Sequence, residues 1–238
     1  MSFREALTEA AAAYGMNLSQ DQHADFEKYY NLLIAWNEKI NLTAITQPDE
    51  VAVKHMIDSL TCLDNAYFPS GCTVIDVGTG AGFPGLPLKI FRPDIKLTLL
   101  DSLNKRLNFL QEVVDQLDLN EVKLIHSRAE DGGRAGALRE KHHVAVSRAV
   151  ARLNVLCEYC LPFVEVGGAF VALKGAKFAL EVDDAKKAVK ILGGEIAAVK
   201  EVKLPGLEDA RAVVYIKKVA NTPSQYPRRS GLPEKKPL

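Results

Sequence analysis

The sequence predicts an α/β fold: a mainly parallel sheet with helices on both faces, preceded by an N-terminal group of helices. Two observations carry this. From residue 73 onward, short β-branched runs alternate with longer segments of helical periodicity, the pattern of a parallel sheet. The first of these runs leads straight into Val74-Ile-Asp-Val-Gly-Thr-Gly-Ala-Gly-Phe-Pro-Gly-Leu-Pro87, which reads as strand, glycine turn and helix. In an open α/β sheet such a turn lies at the carboxyl edge of the strands, where ligands bind.

Residues 1–68 read as helical and form an expected N-terminal cap. Ala6, Leu7, Ala10, Ala11 and Tyr14 recur at three- and four-residue spacing, and Gly15 offers a stop. Ser19 suits the N-cap of a second helix, on which Phe26, Tyr29, Tyr30, Leu33 and Trp36 form a broad face toward a core. A third helix is expected from near Pro48, with His55 and Asp58 on one face, where they could orient each other. Residues 69–220 carry the sheet. After Thr73-Val74-Ile75 and the glycine turn, a second strand runs from Ile95 to Leu100 and ends at Asp101-Ser102. The helix that follows, through Leu103, Leu107, Leu110, Val113 and Leu117, should leave Lys105 and Arg106 on its solvated face. Val122 to Ile125 is a third strand, with Arg128-Ala129-Glu130 just beyond it. His142-His143 reads as a surface turn before a fourth strand, Val144 to Val146, that ends at Ser147-Arg148. A helix over 151–161, a fifth strand from Gly168 to Leu173 ending at Lys174-Gly175, and a helix over 178–192 come next. Strands at 195–203 and 211–218 can close the sheet as an antiparallel pair. The same carboxyl edge then gathers Gly78, Asp101, Glu130, Arg148 and Lys174.

Composition bounds the function. Thirty Lys and Arg balance thirty Asp and Glu, so no whole-protein field draws the chain to nucleic acid. No apolar run approaches the roughly 18 residues of a membrane span, and the N-terminus lacks a signal-peptide core. Four cysteines without such a signal suit a reducing cytoplasm. Residues 221–238 have no apolar periodicity. They hold Tyr226, Arg228, Arg229, Lys235 and Lys236 against Glu234, and two readings stay open: a solvated tail, or an arm for RNA phosphates and bases.

Gly80-x-Gly82-x-x-Gly85 satisfies the dinucleotide fingerprint by letter. The register is wrong for it, because the glycine at the strand end is Gly78 and the third position counted from there is Phe83. Pro84 and Pro87 also remove N–H groups that a pyrophosphate would need. A ligand without phosphates fits better, and Asp76 would favour a cationic one. S-adenosylmethionine has both properties, which favours a methyltransferase over a nicotinamide dehydrogenase. Asp101 follows Gly78 by 23 positions, near the roughly 20-residue spacing at which a carboxylate meets a ribose diol. Cys157-x-x-Cys160 lies within a helix and has no partner pair, so it reads as structural and no metal site is expected. No Gly-x-Ser-x-Gly elbow supports a hydrolase. A cofactor-free RNA-binding module remains the third reading.

Several segments together resemble one family, the bacterial small-subunit ribosomal RNA methyltransferase G, also called the glucose-inhibited division protein B family. They are Trp36-Asn-Glu-Lys-Ile-Asn-Leu-Thr43, His55-Met-Ile-Asp-Ser-Leu60, Asp76 to Gly85, Asp101-Ser-Leu-Asn-Lys-Arg106, Ser127-Arg-Ala-Glu130, Ser147-Arg-Ala-Val150, Lys174-Gly175 and Tyr226-Pro-Arg-Arg-Ser-Gly231. The resemblance implies a Rossmann-like class I methyltransferase that uses S-adenosylmethionine to methylate N7 of one guanine in 16S ribosomal RNA. It implies Gly78, Gly80 and Phe83 in the cofactor loop, Asp101, Ser102 and Leu103 along the ribose, and Ala129 and Glu130 beside the adenine. Arg148 is implied at the cofactor and reaction end, as a positioning group rather than a general base. Lys174, Arg228 and Arg229 are the expected RNA contacts. The expected substrate is 16S rRNA or the small-subunit particle, acted on by a cytoplasmic monomer.

Overall fold

The computed structural model describes residues 1–238. Seven strands, β1 (Thr73–Val77), β2 (Lys96–Asp101), β3 (Val122–His126), β4 (His142–Arg148), β5 (Val164–Lys174), β6 (Gly194–Val202) and β7 (Arg211–Lys218), form one sheet. Their order is β3-β2-β1-β4-β5-β7-β6. The first five are parallel, and β7 runs antiparallel between β5 and β6. The 195–203 and 211–218 runs thus close the sheet as an antiparallel pair, as their spacing predicts.

Successive strand residues point to opposite faces, and the sheet sorts its apolar residues accordingly. Val74, Leu97, Leu99, Val144, Val146 and Val171 face one layer, while Ile75, Val77, Leu100, Ala145, Phe170 and Ala172 face the other. The first layer is covered by α1 (Phe3–Ala13), α2 (Gln20–Asn37), α5 (Gly85–Phe91), α6 (Asn104–Gln116) and the segment between α2 and β1. The second is covered by α7 (Ala129–Gly132), α8 (Leu153–Cys160) and α9 (Phe178–Ile191). Reciprocal capping boxes at Ser2 with Glu5 and at Ser19 with Gln22 start α1 and α2. The N-terminal helices share the sheet's own core: Phe26, Tyr29 and Leu33 are buried with Leu86 and Leu110, and the Tyr29 hydroxyl donates to the Ala81 carbonyl in the glycine turn.

Two departures bear on function. The third helix is not uniform. It runs as α3 (Pro48–Val51), a π-helical turn (Ala52–Ile57) and α4 (Asp58–Leu60). Such wide turns are frequent at functional sites, and this one carries His55, with Asp58 just after it, to the end of β4. The fourth strand also begins earlier than its apolar run suggests. His142 and His143 lie inside β4 rather than in a surface turn, with His142 buried and its Nε2 3.3 Å from Thr98 Oγ1. Pairing with β5 at Val164 and a hydrogen bond from the His143 N–H to Thr73 Oγ1 extend the strand through these polar residues.

The 221–238 segment folds back onto the domain. The Arg139 guanidinium donates to the carbonyls of Thr222 and Tyr226, both at 2.7 Å. Pro227 is buried, and a last turn, α10 (Leu232–Lys235), packs near α8.

Candidate functional site

The strand order reverses between β1 and β4, and the crevice at such a switch point is the expected ligand site. A cavity of about 420 Å³ opens there, walled by the glycine turn, Asp101-Ser102, Ser127 to Glu130 and Arg148 to Val150. Four strand ends therefore feed one space.

The glycine turn sets the floor. Gly80 has φ +61°, and a Cβ built on it would meet nothing within 4 Å, so its backbone faces open ligand space. Gly82, at φ +99°, is different: a Cβ there would lie 2.6 Å from Leu86 Cδ1 and 2.7 Å from the Tyr29 hydroxyl. One glycine clears room for a ligand and the other for the helices behind the turn. Two carboxylates hold the turn. Asp101 Oδ2 accepts from the Gly80 N–H at 2.9 Å, and Oδ1 accepts from the Leu103 N–H at 2.9 Å. Arg106 Nη1 lies 3.4 Å from Oδ2. An ionised carboxylate has about four acceptor positions, so Asp101 keeps capacity for a ligand hydroxyl. Asp76 braces the turn from beneath: its Oδ2 accepts from Thr79 Oγ1 at 2.7 Å and from the Gly85 N–H at 2.9 Å. Burial pushes its pKa up to about 6.

Arg148 stands at the other end of the cavity. Nη1 donates to Asp58 Oδ2 at 2.8 Å and to the Lys54 carbonyl at 3.0 Å, and the guanidinium lies 4.9 Å from the Phe83 ring centroid. His55 packs on the same ring at 4.6 Å, its Nδ1 3.4 Å from Arg148 Nη2 and its Nε2 2.8 Å from Thr43 Oγ1. Burial, then the neighbouring guanidinium, lowers the His55 pKa to about 4, so the imidazole is neutral at pH 7. The residue just after β4, Ala149, has φ +56°, a strained conformation for a side chain with Cβ and one that clusters at functional sites.

The C-terminal segment completes the wall. Glu130 is 1% exposed and its Oε1 accepts from the Gly231 N–H at 2.8 Å. Glu234 of α10 and Tyr159 of α8 both line the cavity. The Tyr159 hydroxyl is buried without a hydrogen-bond partner, and burial raises its pKa.

A sequence profile of the rRNA small subunit methyltransferase G family matches residues 22–214. Relatives named ribosomal RNA small subunit methyltransferase G are alike over nearly the whole chain. That of Desulforamulus reducens is 53% identical over 232 residues, 98% of this chain and 97% of its own. That of Alkaliphilus metalliredigens is 47% identical over all of both chains. The chain belongs to this family. Among solved structures, a SAM-dependent methyltransferase from Aquifex aeolicus matches with TM-score 0.51 at 18% identity, covering 73% of this chain and 94% of its own. A 16S rRNA adenine-N1 methyltransferase from Catenulisporales acidiphilia, solved with its cosubstrate, matches with TM-score 0.52 at 16% identity, covering 67% and 93%. At such identity these two show the fold, which is the class I methyltransferase fold that the sequence predicts.

Within this family member, the cavity gathers Gly78, Gly80, Phe83, Asp101, Ser102, Ala129, Glu130 and Arg148. Other residues fall differently from their sequence reading. Leu103 is 42% exposed and lies off the cavity, acting only through the N–H that it gives to Asp101. Asp76 points into the core rather than toward a cationic ligand, because Thr79 and Gly85 offer it donors there. Arg106 leaves the solvated face of α6 for the cavity, drawn by Asp101. The Lys174 ammonium is held at 2.7 Å by Glu181 and donates to the Ala151 carbonyl, with its side chain 7% exposed. Arg228 forms a buried ion pair with Glu158 at 2.6 Å, so it is not presented to a phosphate. Arg229 alone of the three expected RNA contacts is exposed and unpaired. His55 and Asp58 do not touch each other and meet instead through Arg148. Tyr159 and Glu234 carry no sequence signal beyond the resemblance of the neighbouring Tyr226 to Gly231 segment. The Cys157 and Cys160 thiols are free and buried, with pKa values raised by burial.

Proposed function

We infer that this chain is an S-adenosylmethionine-dependent methyltransferase that methylates N7 of a guanine in 16S ribosomal RNA. The full-length match to the rRNA small subunit methyltransferase G family carries the reading, and the cavity at the switch point supports it. The residues present fit the cofactor: Gly80 offers open backbone, Asp101 retains acceptor capacity, and Tyr159 brings an unpartnered hydroxyl. Gly78, Gly80 and Phe83 would hold it at the turn, Asp101, Ser102 and the Leu103 backbone at the ribose, and Ala129 and Glu130 at the adenine. Arg148 would take its carboxylate end. When bound, S-adenosylmethionine supplies a methyl group on a sulfonium, open to attack by a lone pair.

Guanine N7 carries an in-plane lone pair that is free at neutral pH, so no proton has to be removed before transfer. His55, with a pKa near 4, is too weak a base and is held by Thr43. The chain's contribution is positioning: Asp58, the Lys54 carbonyl and Phe83 fix the Arg148 side chain from three sides. Residues 69–220 form the methyltransferase unit, 1–68 its helical cap and 221–238 a tail that walls the cofactor end. No helix is long and apolar enough to cross a membrane, and the expected setting is the cytoplasm.

The test is methyl transfer to 16S rRNA, free and in small-subunit particles, each prepared without the modification. 7-Methylguanosine in the nuclease digest is the expected product, and particles against free RNA show which is the substrate. Arg148→Ala should lower the single-turnover rate about 10- to 100-fold at saturating RNA and cofactor. No incorporation into either RNA, or a methyl group on another nucleoside, would overturn the reading.

A further inference from the structure

Beside the first cavity lies a second of about 310 Å³, which shares His55, Arg148 and Ala149 with it. Its charged lining is Lys54, Asp58, Arg148, Lys174 and Arg211. Two of these cations are already matched from outside the cavity, Lys54 by Glu50 and Lys174 by Glu181. The other two, Arg148 and Arg211, share the single carboxylate of Asp58, at 2.8 and 3.3 Å. One positive charge is left over. It is located at Arg211, whose Nε is buried with no hydrogen-bond partner. A buried donor without an acceptor is costly, and a guanidinium edge suits an oxyanion. Gly175, at the end of β5, leaves open space on the same wall: a Cβ there would meet nothing within 4 Å.

The sign of the charge decides what kind of RNA group belongs there. Methylation at N7 makes the purine cationic, so surplus positive charge around the target base would oppose the reaction. A phosphate has the opposite preference. We propose that the second cavity binds a backbone phosphate of the RNA next to the target nucleotide, with Arg211 as its principal contact. This rests on the RNA-methyltransferase reading and adds a subsite to it. The cofactor's carboxylate shares the oxyanion chemistry, and the experiment separates the two.

The experiment uses the full chain with Arg211→Gln, after a thermal melt. Cofactor affinity is measured by calorimetry, and 16S rRNA affinity by filter binding across a potassium chloride series. The Arg211→Gln variant should bind RNA about 10- to 100-fold more weakly. Its log–log salt slope should fall by about 0.7–0.9, the value for one phosphate contact. Cofactor affinity should fall much less than RNA affinity, since Asp58 still holds Arg148. Arg211→Lys should regain most of the slope by keeping the charge. Gly175→Asp, which sets a carboxylate into the open space on the same wall, should lower RNA affinity and slope in the same direction and keeps the test decisive if Arg211→Gln fails to fold. An unchanged RNA slope in Arg211→Gln, or in Gly175→Asp if Arg211→Gln does not fold, overturns the proposal. Loss of cofactor affinity with an intact RNA slope assigns the site to the cofactor carboxylate instead. If the wild-type chain does not methylate 16S rRNA, the enzyme reading fails. Wild-type activity with an unchanged Arg211→Gln slope sinks only the phosphate site.

Discussion

Arg228 and Arg229 are neighbours of identical chemistry, and the fold gives them opposite fates. The Arg228 backbone N–H and Nε donate to Glu158 Oε1 at 2.7 and 2.9 Å, and Nη2 donates to Oε2 at 2.6 Å. Glu158 is 1% exposed on α8. Arg228→Ala removes the guanidinium and leaves a buried carboxylate with one backbone donor. Breaking a buried pair from one side costs about 3–5 kcal/mol, and the surviving N–H puts the expected loss at the low end, about 3 kcal/mol. That is a large part of the roughly 5–15 kcal/mol that holds a domain folded. For a chain of this size it lowers Tm by about 6–12 °C, at roughly 2–4 °C per kcal/mol. Arg229→Ala, at an exposed and unpaired residue, should stay within about 0.5 kcal/mol of wild type. Adding Glu158→Gln to Arg228→Ala removes the stranded charge and should recover most of the loss. Calorimetric melts of the four proteins decide it. An Arg228→Ala melt within about 2 °C of wild type, or no recovery in the double variant, refutes the buried-pair argument. Truncation at 221 would disturb more than RNA binding. The segment carries the Gly231 contact to Glu130 and the Glu234 wall, so its loss would lower stability and cofactor affinity before it said anything about RNA.

Three further outcomes are expected. Asp101→Ala removes the acceptor that clamps Gly80 and should weaken S-adenosylmethionine binding about 10- to 100-fold by calorimetry; an unchanged Kd takes Asp101 out of the site. Tyr159→Phe deletes a hydroxyl that has no partner within the chain, so Tm should hold while cofactor affinity falls about two- to tenfold; a lower Tm with unchanged affinity would make the hydroxyl structural. His55 has its folded pKa lowered from 6.5 to about 4, so its contribution to stability is present above pH 6.5 and is lost as pH falls toward 4, up to about 3 kcal/mol. Asp76 acts in the opposite sense, because its raised pKa of about 6 makes its contribution fall as pH rises from about 4 to 6. The difference between wild type and His55→Asn across pH 4–7 isolates the histidine, and a pH-independent difference would refute its assignment.

The sequence by itself determined the order of strands and helices, the antiparallel closing pair and the edge at which the ligand residues collect. Those depend on local periodicity and on the strand-turn-helix unit, and the pleat then fixes which side chains face which layer. Gly78, Asp101, Glu130 and Arg148 were legible because each lies at or just beyond a strand end, and every parallel strand ends at the same edge. The tertiary structure decided which of the chemically able groups remain free to act. Asp76 and Asp101 both lie near strand ends, yet Thr79 and Gly85 hold one oxygen of the first inside the core while the second faces the cavity. Arg228 meets Glu158 across 70 positions, and Glu130 meets Gly231 across 101. Hydrogen-bonding capacity and charge are used up by whichever partner the fold brings within about 3 Å, and at those separations in sequence no local pattern names the partner.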